Sequence, residues 1–170
     1  MSIPFRADYA TWLGWLTPPD VPLLFVTDGI SLGDVVAESL LVGYERFGGW
    51  LEAGMSSWVD SGLPTQTVSL VDAAVTHDLI RQGAQIIDVR EPDEFAAGHI
   101  PGAINVPLAK IHEQEAALPA DRPLVTYCGH GERASTGASL LERAGLGPIF
   151  NLDEGIGAWR SAEYPIITED

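Results

Sequence analysis

The chain has 170 residues, 46% of them hydrophobic, a composition typical of a globular protein. Its 24 acidic and 9 basic side chains give a net charge of −15, and such a charge repels nucleic acids and anionic membrane surfaces. No apolar run approaches the roughly 20 residues of a membrane-spanning helix, and a single cysteine cannot form an internal disulfide. Since MSIPFRADYA does not read as a signal peptide, the sequence predicts a cytoplasmic protein with neither a nucleic-acid nor a membrane partner.

An internal repeat relates the two ends of the chain at a shift of 101 positions. The aligned pairs are VPLLFVTDG (21–29) with RPLVTYCGH (122–130), and LEAGMSSWVDSGLP (51–64) with LDEGIGAWRSAEYP (152–165). The register has no gap, and glycine, tryptophan and proline coincide at several positions, which argues against chance. Because residues 67–104 have no counterpart, we expect a partial first copy over 1–66 and a complete domain over 67–170.

Helical and strand-like segments alternate along 67–170. The expected helices are 68–84, with Ser69 as N-cap and Gly83 at the end, then 91–98, 111–119, 132–145 and 156–165. The expected strands are 85–90, a short one within 99–107, 123–128 and the beginning of 149–155. This alternation predicts an α/β fold with a parallel sheet and helices on both faces.

The segment CGHGER at 128–133 joins a predicted strand to a predicted helix. Ligands of open parallel sheets bind beyond the carboxyl ends of the strands. Successive backbone N–H groups and the helix dipole can hold an anion there, and Gly129 and Gly131 let the backbone approach a ligand closely. Arg133 adds a permanent positive charge. This setting favours a nucleophilic Cys128 over a thiol that merely packs under a helix.

The last 104 residues resemble a rhodanese domain, the sulfurtransferase fold. The motifs that carry the resemblance are IIDVREPDEFAAGHIPGAINVP (86–107), YCGHGERAS (127–135) and NLDEGIGAWRSAEYP (151–165). The resemblance implies that Cys128 accepts a sulfane sulfur, becomes a persulfide and passes the sulfur to a nucleophile. It also implies that Gly129, His130, Gly131 and Glu132 form the substrate-binding loop and that Arg133 faces the donor's anion.

Loop length and composition refine this expectation. Four residues separate Cys128 from Arg133, as in sulfur-transferring members, whereas phosphatase and arsenate-reductase relatives have one more. Position 129 is Gly where the family often has Arg, and position 134 is Ala where Ser or Thr is frequent. The lower positive charge suits a low-molecular-weight persulfide at least as well as thiosulfate.

Three charged residues upstream are expected to support the loop. Asp88 and Arg90 occupy the family's Asp-x-Arg position, which we interpret as a structural ion pair, and Glu94 is assigned to the same network. His130 either points to solvent or contributes to donor binding. The four histidines are scattered, so we expect no metal site, and the resemblance implies no cofactor.

The first copy lacks the features of this chemistry. Position 27, aligned with Cys128, is Thr, and TDGISLGD has two aspartates and no arginine, so we expect no persulfide chemistry there. Residues 9–28 are similar to the degenerate middle domain of fusions that join a metallo-β-lactamase-type persulfide dioxygenase to tandem rhodanese domains. Such a dioxygenase, or a second copy of the chain, is the expected partner that would complete residues 1–66.

The sequence leaves three functional hypotheses. The leading one is a sulfurtransferase that moves sulfur from thiosulfate or a small persulfide to a thiol or cyanide. The second is a binding or regulatory module that kept the fold without catalysis, and the presence of both Cys128 and Arg133 argues against it. The third is a phosphatase or arsenate reductase of the same fold, which the short loop disfavours.

Overall fold

The computed structural model describes residues 1–169, and the chain forms two compact units. One consists of Ile3–Thr67, and the other of Met1–Ser2 with the segment from Val68 onward. The helices are α1 Tyr9–Leu16, α2 Leu32–Leu41, α3 Gly54–Asp60, α4 Ala73–Arg81, α5 Pro92–Ala96, α6 Ile111–Gln114, α7 Glu132–Arg143 and α8 Gly155–Ser161. The strands are β1 Leu23–Phe25, β2 Phe47–Trp50, β3 Ser69–Val71, β4 Gln85–Asp88, β5 Ile104–Asn105, β6 Leu124–Tyr127 and β7 Ile149–Leu152. Short 3-10 turns at Leu108–Lys110 and Glu115–Ala117 flank α6.

The second unit contains a five-stranded parallel sheet in the order β3-β7-β6-β4-β5. All four residues of β6, the central strand, are buried. Such continuous burial is expected for a parallel strand covered on both faces. A hydrophobic core that includes Ile86, Val125, Leu152 and Trp159 packs on the sheet. The predicted α/β fold with a parallel sheet is therefore confirmed.

The prediction of a single helix over 68–84 was wrong at its beginning. Ser69–Val71 forms β3, which pairs with β7 at the edge of the sheet. The helix begins later, because the carboxylate of Asp72, not Ser69, is the N-cap and accepts a hydrogen bond from the N–H of Val75 at 2.8 Å. At Ser69–Val71, backbone pairing with β7 therefore decides the structure, and the helix-like spacing of the apolar residues does not. Gly83 follows the helix with a φ of +97°, as expected for a residue that ends a helix.

The first unit has a two-stranded parallel sheet of β1 and β2. Its core is a cluster of buried side chains: Tyr9, Leu13, Phe25, Val35 and Tyr44. Several local features recur in the second unit 101 positions later. Ala53 and Gly54 have φ values of +58° and +58°, and Glu154 and Gly155 have +55° and +59°. The indole N–H of Trp58 donates to the carbonyl of Pro64 at 3.0 Å, as that of Trp159 does to Pro165 at 2.8 Å.

No helix among residues 1–169 has the length and apolar character needed to cross a bilayer.

Candidate active site

Cys128 lies directly after β6, at the carboxyl end of the central strand, and the loop 128–131 leads into α7. The backbone N–H of Gly131 donates a hydrogen bond to the Cys128 sulfur at 3.1 Å. Gly131 is the N-cap residue of α7 and has a φ of +95°, a conformation that favours glycine. The loop therefore turns a backbone donor onto the sulfur at a helix N-terminus, where negative charge is stabilised.

Cys128 is buried, with only 2% of its surface exposed. A buried thiol without polar neighbours would be inert, but this thiol accepts the hydrogen bond from Gly131. So little exposed surface leaves little room for a bulky electrophile at the sulfur. Burial thus limits which reagents can reach the thiol.

The first turn of α8 supports the loop from the other side. The N–H of Ile156 donates to the carbonyl of Cys128 at 2.8 Å. A Cβ at Gly155 would overlap the carbonyl oxygen of Cys128 and lie 2.9 Å from the carbonyl carbons of Cys128 and Gly129. Sequence reasoning missed this role of Gly155. The signal was its coincidence with Gly54 in the internal alignment.

Arg133 forms a two-pronged ion pair with Glu94. Its Nη1 donates to Oε2 at 2.6 Å and its Nη2 to Oε1 at 2.7 Å. These hydrogen bonds from Arg133 lower the pKa of Glu94 below its ordinary value and also raise the pKa of Arg133. A Cβ at Gly129 would lie 3.9 Å from Nη2 of Arg133, so the guanidinium is beside the loop while its charge is balanced by Glu94.

Asp88 and Arg90 form a buried ion pair. Asp88 is fully buried and Arg90 is 4% exposed, and their closest N–O distance is 2.6 Å. Nη2 of Arg90 also donates to the carbonyl of Gly98 at 2.9 Å, and the guanidinium lies 5.5 Å from the ring centre of Tyr127. Burial acts to lower the pKa of Arg90, but hydrogen bonds and the charge of Asp88 raise it overall. The pair braces the ends of β4 and β6.

The two remaining loop residues are exposed. Glu132 is in the first turn of α7, where the helix dipole stabilises a negatively charged side chain. His130 lines an open cleft of about 360 Å³ together with Glu154, Gly157, Ala158 and Ser161 of the α8 region. No group of His, Cys, Asp and Glu that could hold a metal ion occurs among the described residues.

The corresponding loop of the first unit is built differently. Thr27 is the second residue after β1, and a Cβ at Gly54 would overlap the Thr27 carbonyl oxygen, as at Gly155 and Cys128. Ser31 caps α2 by accepting a hydrogen bond from the N–H of Asp34 at 3.4 Å. The loop thus has a supporting glycine without a thiol.

Comparison with known proteins identifies the family to which this sequence is similar. The family model of the rhodanese-like domain matches residues 72–162. The thiosulfate sulfurtransferase GlpE of Pseudomonas aeruginosa is 37% identical over 90 residues, which cover 53% of this chain and 81% of that protein. Bacillus subtilis YqhL is 39% identical over 88 residues, covering 50% of this chain and 70% of YqhL.

A solved structure has the same fold as the second unit. The rhodanese-related protein of Thermoplasma volcanium is 31% identical with a TM-score of 0.56, and the alignment covers 61% of this chain and all of that one. A Rhodopseudomonas palustris protein described as a possible tyrosine phosphatase is 26% identical with a TM-score of 0.54, over 66% of this chain and 91% of that one.

Proposed function

The chain belongs to the rhodanese-like family, and on that premise we propose that it is a sulfurtransferase with Cys128 as the covalent sulfur carrier. The observation that carries the proposal is the hydrogen bond from the Gly131 N–H to the Cys128 sulfur at 3.1 Å. A donor aimed at the sulfur stabilises the thiolate and then the persulfide anion. The similarity to GlpE, a thiosulfate sulfurtransferase, supports the same reaction class.

The reaction has two balanced steps. In the first, the Cys128 thiolate attacks the outer sulfur of the donor. A new S–S bond joins this sulfur to Cys128, and the bond between this sulfur and the rest of the donor breaks. Sulfite leaves from thiosulfate, or a thiolate leaves from a persulfide, with the electron pair of that bond. In the second, cyanide or a thiolate attacks the outer sulfur and Cys128 leaves as a thiolate. No external oxidant or reductant is needed.

The charge balance at the loop supports a low-molecular-weight persulfide as donor alongside thiosulfate. Glu94 balances Arg133 through two hydrogen bonds, and position 129 has no side chain. A dianionic donor therefore meets less net positive charge than an unpaired arginine would provide. We assign Gly129, His130, Gly131, Glu132 and Arg133 to the substrate-binding loop, with Asp88, Arg90 and Glu94 as positioning residues.

Residues 1–66 are proposed to be a partial, inactive copy of the domain at 67–170. The shared left-handed residues before α3 and α8 and the two Trp-to-Pro hydrogen bonds support this proposal. A persulfide dioxygenase or a second copy of the chain remains the predicted partner of this segment, and the cytoplasmic location remains a prediction.

The test is intact-protein mass spectrometry after incubation with thiosulfate or, separately, glutathione persulfide. We expect one added sulfur on the wild type, its loss on addition of cyanide, and no adduct on Cys128→Ala. The double variant Cys128→Ala/Thr27→Cys is a matched control, since its single thiol stands at the equivalent position of the first unit, and it should retain no sulfur.

A wild-type protein that is folded and reduced but takes sulfur from neither donor would refute the sulfurtransferase. Hydrolysis of para-nitrophenyl phosphate that depends on Cys128, without sulfur loading, would favour the phosphatase hypothesis instead.

A further inference from the structure

A cleft borders the sulfur-carrying loop, and of its lining residues only His130 has been assigned a role so far. It has a volume of about 360 Å³ and is lined by His130 of the loop and by Glu154, Gly157, Ala158 and Ser161. Pockets that place a few polar groups beside a nucleophile are the usual sites of substrate selection. The chemistry of these groups therefore indicates what the cleft binds.

The cleft adjoins the loop because the two segments touch at the backbone. A Cβ at Gly131 would lie 3.5 Å from the backbone nitrogen of Glu154, and one at Gly157 would lie 3.7 Å from the carbonyl oxygen of Gly129. The N–H of Ile156 is hydrogen-bonded to the Cys128 carbonyl at 2.8 Å. A molecule in the cleft is therefore next to the loop that holds the sulfur.

The permanent charge in this lining is negative. Glu154 contributes an exposed carboxylate, and the hydroxyl of Ser161 donates to the Gly157 carbonyl at 3.0 Å, so its oxygen can still accept a hydrogen bond. Arg133 is engaged by Glu94. Nη2 of Arg160 is 3.0 Å from where a Cβ of Gly98 would be, and Arg160 is not among the lining residues.

Resting on the proposed sulfurtransferase, we propose that this cleft binds the sulfur acceptor and selects a small thiol that carries a protonated amine near its sulfur. The ammonium group is held by the Glu154 carboxylate and the Ser161 oxygen while the thiolate attacks the outer sulfur of the Cys128 persulfide. The new S–S bond forms on the acceptor and the Cys128 thiolate leaves. The net charge of −15 also attracts such a thiol through its ammonium group.

The experiment compares three acceptors that carry an amine, a hydroxyl or a carboxylate two carbons from the thiol: cysteamine, 2-mercaptoethanol and 3-mercaptopropionate. Wild-type protein is loaded with sulfur from thiosulfate or glutathione persulfide and desalted, and the loss of the added sulfur is followed by mass spectrometry. The intrinsic reactivities of the three thiols differ, so the readout is the cysteamine-to-mercaptopropionate rate ratio of each variant divided by that of the wild type.

Glu154→Gln should lower this ratio about three- to five-fold, the upper part of the range for an exposed ion pair, and Glu154→Lys should lower it further by favouring the anionic thiol. Glu163→Gln is the matched control. Glu163 is also an exposed glutamate with a positive φ, +58° against +55° for Glu154, and it does not line the cleft. Added salt should reduce the wild-type preference.

A ratio that stays within two-fold of the wild type in both Glu154 variants, with sulfur still loaded and discharged, would overturn the cleft assignment alone. A wild-type protein that never loads sulfur would overturn the sulfurtransferase and, with it, this inference.

Discussion

Replacing Gly155 by Ala tests whether α8 supports the Cys128 loop. Gly155 has a φ of +59°, and a left-handed conformation costs a non-glycine residue about 1–2 kcal/mol. The added Cβ would also overlap the Cys128 carbonyl oxygen and lie 2.9 Å from two loop carbon atoms. Overpacking of this kind costs about 1–3 kcal/mol more. We therefore expect a loss of roughly 2–5 kcal/mol in unfolding free energy.

Gly145→Ala is the matched control. Gly145 follows α7 with a φ of +82°, and nothing lies within 4 Å of the position that a Cβ would take there, so only the conformational cost of about 1–2 kcal/mol applies. Urea unfolding measures both variants, with the slope checked for constancy. Gly155→Ala should also load less sulfur per folded chain, because the Cys128 carbonyl must move. Equal destabilisation of the two variants, within about 0.5 kcal/mol, would refute the contact between α8 and the loop.

Three further predictions concern the residues around the loop. Glu94→Gln should remove a part of the folding stability that depends on pH, because Arg133 lowers the pKa of Glu94 in the folded protein. The ion pair stabilises the fold fully above the ordinary glutamate pKa of about 4.3. This stabilisation is lost as the pH falls through the lower pKa of the folded state. The unfolding free energy from urea titrations between pH 6 and pH 3 should fall more steeply in the wild type, by about 1 kcal/mol or less for this partly exposed pair, and parallel curves would contradict the prediction. Asp88→Asn should cost about 3–5 kcal/mol by leaving a buried guanidinium without its anion, measured by urea unfolding, and a cost under about 1 kcal/mol would show that the pair is not structural. Trp159→Phe should destabilise by about 1–3 kcal/mol through the lost hydrogen bond and packing, and Trp58→Phe by clearly less, because Trp159 is 2% and Trp58 37% exposed; thermal melts that rank the two in the opposite order would refute the argument.

Local sequence signals predicted four of the five strands of the main sheet and the loop after β6, because these features follow directly from burial and backbone conformation. The run at 123–128 is mostly apolar and β-branched or aromatic, as expected for a buried parallel strand, and its residues Leu124–Tyr127 form β6. Gly131 was predicted to allow a backbone conformation that other residues avoid, and its φ is +95°. Each of these features is decided within a few residues of the chain.

Features set by tertiary pairing were harder to predict. The three residues of β3 are a strand because β7 pairs with them, and nothing within 69–71 distinguishes them from the first turn of a helix. Glu94 and Arg133 are 39 positions apart, and their pairing depends on how α5 and α7 pack. Sequence analysis placed Glu94 in a supporting network but not on the arginine assigned to the donor.

The two units together separate what the fold requires from what the proposed chemistry requires. Gly54 lies against the Thr27 carbonyl as Gly155 lies against that of Cys128, and both Trp-to-Pro hydrogen bonds are present. If residues 1–66 are a degenerate copy, these shared features persist without a thiol, so they serve folding. What the first unit lacks is the cysteine and the arginine that follows it. Under the proposed function, sulfur transfer therefore depends on Cys128, its hydrogen bond from Gly131 and the Arg133–Glu94 pair, whereas the glycine and tryptophan of α8 maintain the frame that holds them.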